Sequence, residues 1–149
     1  MDIYIDADAC PVKDETLRVA ERHGLKTLMV SDGGIRPHQS PLVEIIIVNQ
    51  GPDAADDWIA DHIGPADICV TNDIPLAARC LEKGALALKP NGEAFTQDGI
   101  GMALANRELM QDLREQGAIT GGPRPFGKAD RSHFLDRLEA TVQAAKRQG

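Results

Sequence analysis

The stretch Ile3-Tyr-Ile-Asp-Ala-Asp-Ala-Cys10 decides the fold class of this chain. A short apolar run with β-forming residues ends in two carboxylates, and Pro11 then favours the first turn of a helix. Asp6 and Asp8 therefore lie where a strand passes into a helix, which is where open α/β sheets bind their ligands. Because an unpaired carboxylate is costly to bury, Asp6 is a candidate functional residue.

The rest of the sequence alternates between strand and helix patterns. The further predicted strands are 26–30, 44–48, 67–71 and 85–88. The predicted helices are 11–23, 53–63, 74–83, 98–116 and 130–147. This order predicts an α/β fold of three layers, α/β/α, with a mainly parallel, Rossmann-like sheet of about five strands and two C-terminal helices. We expect a single domain over 1–149, with residues 98–149 as a helical extension.

Composition limits the class of protein. Of the 149 residues, 42% are hydrophobic and only 3% aromatic, which predicts an aliphatic core. No apolar run approaches 18 residues and the first residues do not form a signal peptide, so we expect neither a membrane span nor export. Three widely spaced cysteines fit a reducing compartment. The sequence therefore predicts a cytoplasmic protein.

The distribution of charge argues against a general nucleic-acid coat. The formal net charge is −7, and the first 100 residues carry 8 basic and 17 acidic side chains. The remaining residues carry 8 basic and 6 acidic side chains. Phosphate backbones are held by Lys and Arg, which are outnumbered here. An acidic body with a mildly basic tail suits a cation site flanked by a phosphate-handling segment, although it also fits ordinary amphipathic helices.

The acidic residues indicate the chemistry. Asp73 follows the fourth strand as Asp6 follows the first, and the carboxyl ends of parallel strands share one edge of a sheet. Asp73 is also a good helix N-cap, which is compatible with metal binding. Oxygen ligands suit Mg²⁺ or Mn²⁺, and such ions orient water for phosphodiester hydrolysis. The predicted metal ligands are Asp6, Asp8, Asp53, Asp56, Asp57 and Asp73, with Asp6, Asp73 and Asp57 as the catalytic acids.

Several polar residues near the predicted strand ends and loops are candidates for binding phosphate. Arginine offers a bidentate fork to a phosphate group. The candidates are Ser31, Arg36, Thr71, Asn72, Arg124 and Arg131. The expected substrate is single-stranded RNA or another phosphate ester, although few aromatic side chains are present on which bases stack.

Five motifs resemble those of the bacterial YaiI/YqxD family. They are Asp-Ala-Asp-Ala-Cys-Pro at 6–11, Ser-Asp-Gly-Gly-Ile-Arg at 31–36, Asp-Ala-Ala-Asp-Asp at 53–57, Thr-Asn-Asp-Ile-Pro-Leu-Ala at 71–77 and Thr-Gly-Gly-Pro-Arg-Pro-Phe at 120–126 with Asp130-Arg131. That family is similar to PIN-like (NYN-type) nucleases, which implies a Rossmann-like fold with acidic metal ligands. The resemblance implies Asp6, Asp53, Asp73 and one of Asp56 and Asp57 as those ligands.

Three alternatives stay open. A phosphatase of the haloacid dehalogenase type would use Asp6 and Asp8 as nucleophile and acid and Ser31 for phosphate, but the helix that begins at Pro11 leaves no room for its usual insert. Cys10, near a helix start, is a candidate reactive thiol, opposed by the neighbouring carboxylates. The third alternative is a non-catalytic module that binds nucleic acid or protein, and a homodimer is possible in each case.

Overall fold

The structure is a computed structural model, and it describes residues 1–7, 10–33, 40–49, 53–115 and 126–148. The strands are β1 (Asp2–Asp6), β2 (Lys26–Ser31), β3 (Val43–Ile47), β4 (Ile68–Val70) and β5 (Leu86–Leu88). The helices are α1 (Lys13–His23), α2 (Ala54–His62), α3 (Ile74–Glu82), α4 (Gln97–Glu115) and α5 (Lys128–Gln148). The predicted order of strands and helices is confirmed.

The five strands form one parallel sheet in the order β3-β2-β1-β4-β5. Ile5 of β1 lies beside Met29 of β2 on one side and Val70 of β4 on the other. After β1 the chain builds the sheet outward through β2 and β3, and it then returns to add β4 on the opposite side of β1. The carboxyl ends of β1 and β4 therefore flank the point where the direction of winding reverses, which is the usual position of a ligand crevice in such sheets.

Helices cover both faces of the sheet because successive strand residues point to opposite sides. Ile3 and Ile5 pack in one cluster with apolar residues of α1 and α5, including the fully buried Phe134. Tyr4, between them in sequence, packs on the other face with residues of α2 and α3. The α/β/α architecture predicted from alternating apolar segments is thus confirmed.

The boundaries of the elements differ by a few residues from those predicted. Helix α1 begins at Lys13, so Pro11 lies in the turn before it. After β5 the chain forms a short arm with an isolated antiparallel bridge between Leu88 and Ala94. Gly92 in this arm has a φ of +95°, and a Cβ there would lie 2.8 Å from Nδ1 of His133 on α5. Only glycine fits this close approach.

Polar contacts join α5 to both ends of α1. Arg131 Nη1 donates to the carbonyl of Pro11 at 2.6 Å and lies 3.3 Å from Glu15 Oε1. Glu139 forms an ion pair with Arg22 and a hydrogen bond with the ring of His23 at the other end of α1. None of the helices in the described ranges is long and apolar enough to cross a bilayer.

Candidate functional site

Carboxylates from three segments lie at the carboxyl edge of the sheet. Asp6 is the last residue of β1, and Asp73 directly precedes α3 just beyond the end of the neighbouring strand β4. Asp53 and Asp56 lie at the start of α2, which packs over β1 and β2. The convergence predicted from parallel topology brings these four residues to the crevice between β1 and β4.

Asp73 is held by hydrogen bonds that start helix α3. Its Oδ1 accepts the N–H of Leu76 at 2.8 Å, and its own N–H donates to Oγ1 of Thr71 at 3.0 Å. Pro75 in the first turn of the helix has no N–H to leave unsatisfied. Asp73 is therefore an N-cap, and this role holds its carboxylate at the start of α3.

Asp56 is the carboxyl most affected by its neighbours. The side chain is half-buried and shares a hydrogen bond with the carboxyl of Asp73. Burial is the first cause that raises the pKa of Asp56 to about 7, followed by the negative charges of Asp73, Asp6 and Asp53. The three neighbouring carboxylates place excess negative charge around Asp56, which a cation would relieve.

Asp57 lies next to Asp56 in sequence but has a different partner. Its Oδ1 is 2.8 Å from Nη1 of Arg79 on α3, and both side chains are largely exposed. Asp53 is exposed and makes no side-chain capping bond to α2. Of the two residues between which the resemblance left a choice, Asp56 is the one that joins Asp6 and Asp73, while Asp57 is engaged outside the group.

The predicted phosphate-binding residues fall in different environments. Ser31 is fully buried, and its hydroxyl donates to the carbonyl of Gly33 and accepts the N–H of the same residue. Thr71 is also buried and supports Asp73, whereas Asn72 is exposed beside it. Arg131 binds the start of α1 and lies over the ring of Phe126 at 5.1 Å. Among the described members of this set, Asn72 is thus the side chain that is both near Asp73 and open to solvent.

Some predicted site residues lie outside the described part of the chain. They are Asp8, Arg36 and Arg124.

The thiol of Cys10 is buried, and burial is the main cause that raises its pKa to about 11. A thiol with such a pKa remains protonated at neutral pH, so it lacks the thiolate that a nucleophile requires. The expected depression of the pKa by the helix start is outweighed by desolvation.

The donor chemistry of the acidic group fits a hard divalent cation. All its side-chain donors are carboxylate oxygens, which Mg²⁺ and Mn²⁺ prefer. Among the described residues, however, no three acidic, His or Cys side chains are grouped closely enough to enclose an ion. Metal binding therefore requires rotation of these aspartate side chains, a further ligand, or both.

Sequence reasoning did not anticipate the partners of the basic residues. Arg79 pairs with Asp57, Lys89 with Glu93, and Arg131 with Glu15. Lys89 and Glu93 lie at the two ends of a turn, where the backbone N–H of Lys89 donates to the carbonyl of Glu93. The other two pairs join segments distant in the chain, and the sequence contains no signal for any of the three. These contacts reduce the positive charge available to a long nucleic acid.

Comparison with known proteins gives a consistent result over the full chain. A family model described as "Uncharacterized BCR, YaiI/YqxD family" matches residues 4–144. A UPF0178 protein of Parvibaculum lavamentivorans is 62% identical over 98% of this chain and 96% of its own length. Another from Rhodospirillum rubrum is 58% identical over 99% of both chains. A third, from Paramagnetospirillum magneticum, is 58% identical over 97% of this chain and 96% of its own. No solved structure matches the chain.

Proposed function

The chain belongs to the YaiI/YqxD family, and we propose that it is a divalent-metal-dependent phosphodiesterase of the PIN-like type, acting on single-stranded RNA or on a smaller phosphate ester. The observation that carries this proposal is the environment of Asp56. Its carboxyl shares a hydrogen bond with Asp73 and lies in the field of Asp6 and Asp53. The four carboxylates lie where the direction of winding of the sheet reverses, between β1 and β4. Sheets of this kind bind their ligands at that point, and stabilising the fold does not require four carboxylates there.

The residues that would hold Mg²⁺ or Mn²⁺ are Asp6, Asp56 and Asp73, with Asp53 at the exposed side. A bound ion of this kind supplies a water of lowered pKa and stabilises charge on the oxygens of the phosphate. Asp73 supplies a carboxylate whose direction is fixed by helix α3. Asp56 has to release its proton before it can bind a cation, so metal affinity should rise with pH through about 7.

The pairing of the basic side chains in the described segments favours a short substrate. In the described segments the basic side chains of Arg79, Lys89 and Arg131 are already in ion pairs. Each of these pairs lowers the attraction for a phosphate backbone, which depends on the number of free Lys and Arg side chains. We therefore place a short single strand or a small diester ahead of long or duplex RNA.

The experiment combines metal-dependent melting with hydrolysis. Thermal melting is measured with and without Mn²⁺ at pH 6 and pH 8, and hydrolysis is measured on a labelled single-stranded RNA and on bis(p-nitrophenyl) phosphate. We expect Mn²⁺ to raise the melting temperature more at pH 8, because the proton on Asp56 competes with the ion. An ion at one hundred times its dissociation constant stabilises by about 2.7 kcal/mol.

Asp6→Asn and Asp73→Asn should remove both the metal-induced stabilisation and the hydrolysis. Asn also caps helices, so the second change keeps the start of α3. Asp57→Asn is the matched control, because Asp57 is paired with Arg79 and should retain both properties. The proposal fails if Mn²⁺ does not stabilise the wild type at pH 8, or if Asp57→Asn loses as much activity as Asp73→Asn. Stabilisation by Mn²⁺ without hydrolysis of either substrate would indicate a metal-binding module that is not a phosphodiesterase.

A further inference from the structure

Helix α4 exposes an apolar face. Met102 and Leu109 are 69% and 54% exposed, and Ala105 between them is also exposed. These three residues follow the spacing i, i+3, i+7 and so share one side of the helix, which we call the α4 face. Within the described segments α4 is attached to the body through α3 and Ile100, which leaves this face to solvent. An apolar helix face of this kind usually has a partner.

A groove lies beside the edge strand β5. Its volume is about 410 Å³, and Leu86, Leu88 and Phe95 form an apolar wall. The opposite wall is α5, which contributes the small residues Ala140, Thr141 and Ala144 between Arg137 and Arg147. We call this the β5 groove. Small residues on one helix allow close approach of another helix that carries large side chains, such as those of the α4 face.

The charges at the two surfaces are complementary. Arg137 and Arg147 line the groove ten positions apart, which on a helix is about 15 Å. Asp98 and Glu108 are also ten positions apart on α4, and both are exposed. Asp98 lies on the α4 face, one turn before Met102, and Glu108 borders this face. None of these four charged side chains forms an ion pair within the part of the chain that the structure describes.

We propose that two copies of this chain form a symmetric dimer in which the α4 face of each copy docks in the β5 groove of the other. Helix α4 begins at Gln97, two residues after Phe95, which lines the groove. The helix and the groove thus lie at the same edge of the molecule, and one two-fold axis brings each helix to the other's groove. The contact is made twice, and each one buries large apolar side chains and matches two acidic with two basic groups.

The test measures the oligomeric state of the full chain by sedimentation velocity and by light scattering after gel filtration. The wild type should be a dimer at about 100 μM. One double variant, Arg137→Glu with Arg147→Glu, places like charges at both contacts. The other, Asp98→Arg with Glu108→Arg, does the same from the helix side. Each double variant alone should be monomeric.

Mixing the two double variants in equal amounts should restore the dimer. In the mixed pair, wild-type α4 meets the wild-type groove at one contact, and basic α4 meets the acidic groove at the other. Opposite charges therefore face each other at both contacts, although each variant repels itself. A dimer that uses other surfaces would not show this pattern.

Two further variants separate the contact from folding. Leu109→Ser should weaken the dimer by about tenfold or more while circular dichroism and cooperative melting remain, because Leu109 is already exposed in the single chain. Arg107→Glu is the control, because Arg107 is an exposed residue of α4 that lies away from the α4 face, and it should leave the dimer intact. A wild type that is monomeric at about 100 μM overturns the proposal. So does a mixture of the double variants that stays monomeric.

Discussion

Replacing Asp56 by Asn removes a carboxyl whose pKa the folded protein raises from 3.8 to about 7. Asn has nearly the same shape, and its amide can donate to Asp73 as the protonated carboxyl does. The substitution therefore removes the charge that forms as pH rises and keeps the hydrogen bond. We expect Asp56→Asn to be more stable than the wild type above pH 7.

The sign of the effect follows from proton binding. Between about pH 4 and pH 7 the folded state holds a proton on Asp56 that the unfolded state has released, so the free energy of unfolding falls as pH rises through this range. The shift is about three pH units, and each unit corresponds to 1.36 kcal/mol, which gives an upper bound of about 4 kcal/mol. Because Asp56 is only half-buried, solvent screening reduces this to about 1–2 kcal/mol.

The assay is urea denaturation of both proteins at pH 5 and pH 8.5 in the presence of EDTA. From pH 5 upward the assay covers about two thirds of the interval between the two pKa values, so the difference in unfolding free energy between variant and wild type should grow by about 1 kcal/mol in favour of the variant. Asp57→Asn is the control, since it loses an exposed ion pair with Arg79 and should keep the pH dependence of the wild type. If the unfolding free energies of Asp56→Asn and the wild type change with pH by the same amount, the four carboxylates are not coupled as described.

Two further predictions concern the interior. Cys10 should react with iodoacetamide at pH 7.5 far more slowly than a free model thiol, because burial raises its pKa to about 11. The rate of labelling is measured by mass spectrometry, and rapid labelling would contradict the raised pKa. Phe134→Ala should lower the free energy of unfolding by about 3–5 kcal/mol in urea, since the ring is fully buried between the sheet and α5; a loss below about 1 kcal/mol would show that α5 does not complete the core.

The sequence predicted the fold well because each part of it has a local signal. The strands read as apolar runs, and Pro75 and Gly24 marked the limits of helices through their fixed or permissive backbone angles. The meeting of Asp6 and Asp73 was also predictable, since parallel strands bring their carboxyl ends to one edge whatever the separation in the chain.

The details of the acidic site were less accessible from sequence. Asp56 and Asp57 are adjacent, and a step of one residue turns a helical side chain by about 100°. That rotation sends Asp56 toward Asp73 and Asp57 toward Arg79, and the sequence contains no signal for the rotational position of α2 against α3. For the same reason the spacing of Met102, Ala105 and Leu109 indicates an apolar side on α4 but not that this side faces solvent.

The position of α5 has a consequence for how this chain folds during synthesis. One side of the sheet, including Ile3 and Ile5, depends for its cover on Phe134, Leu138 and Val142 from the last helix. A nascent chain that has already made β1 and α1 must wait for more than a hundred further residues before that cover leaves the ribosome. Until then an aliphatic surface stays open to water, and this is the stage at which a chaperone or a neighbouring nascent chain would most readily bind it.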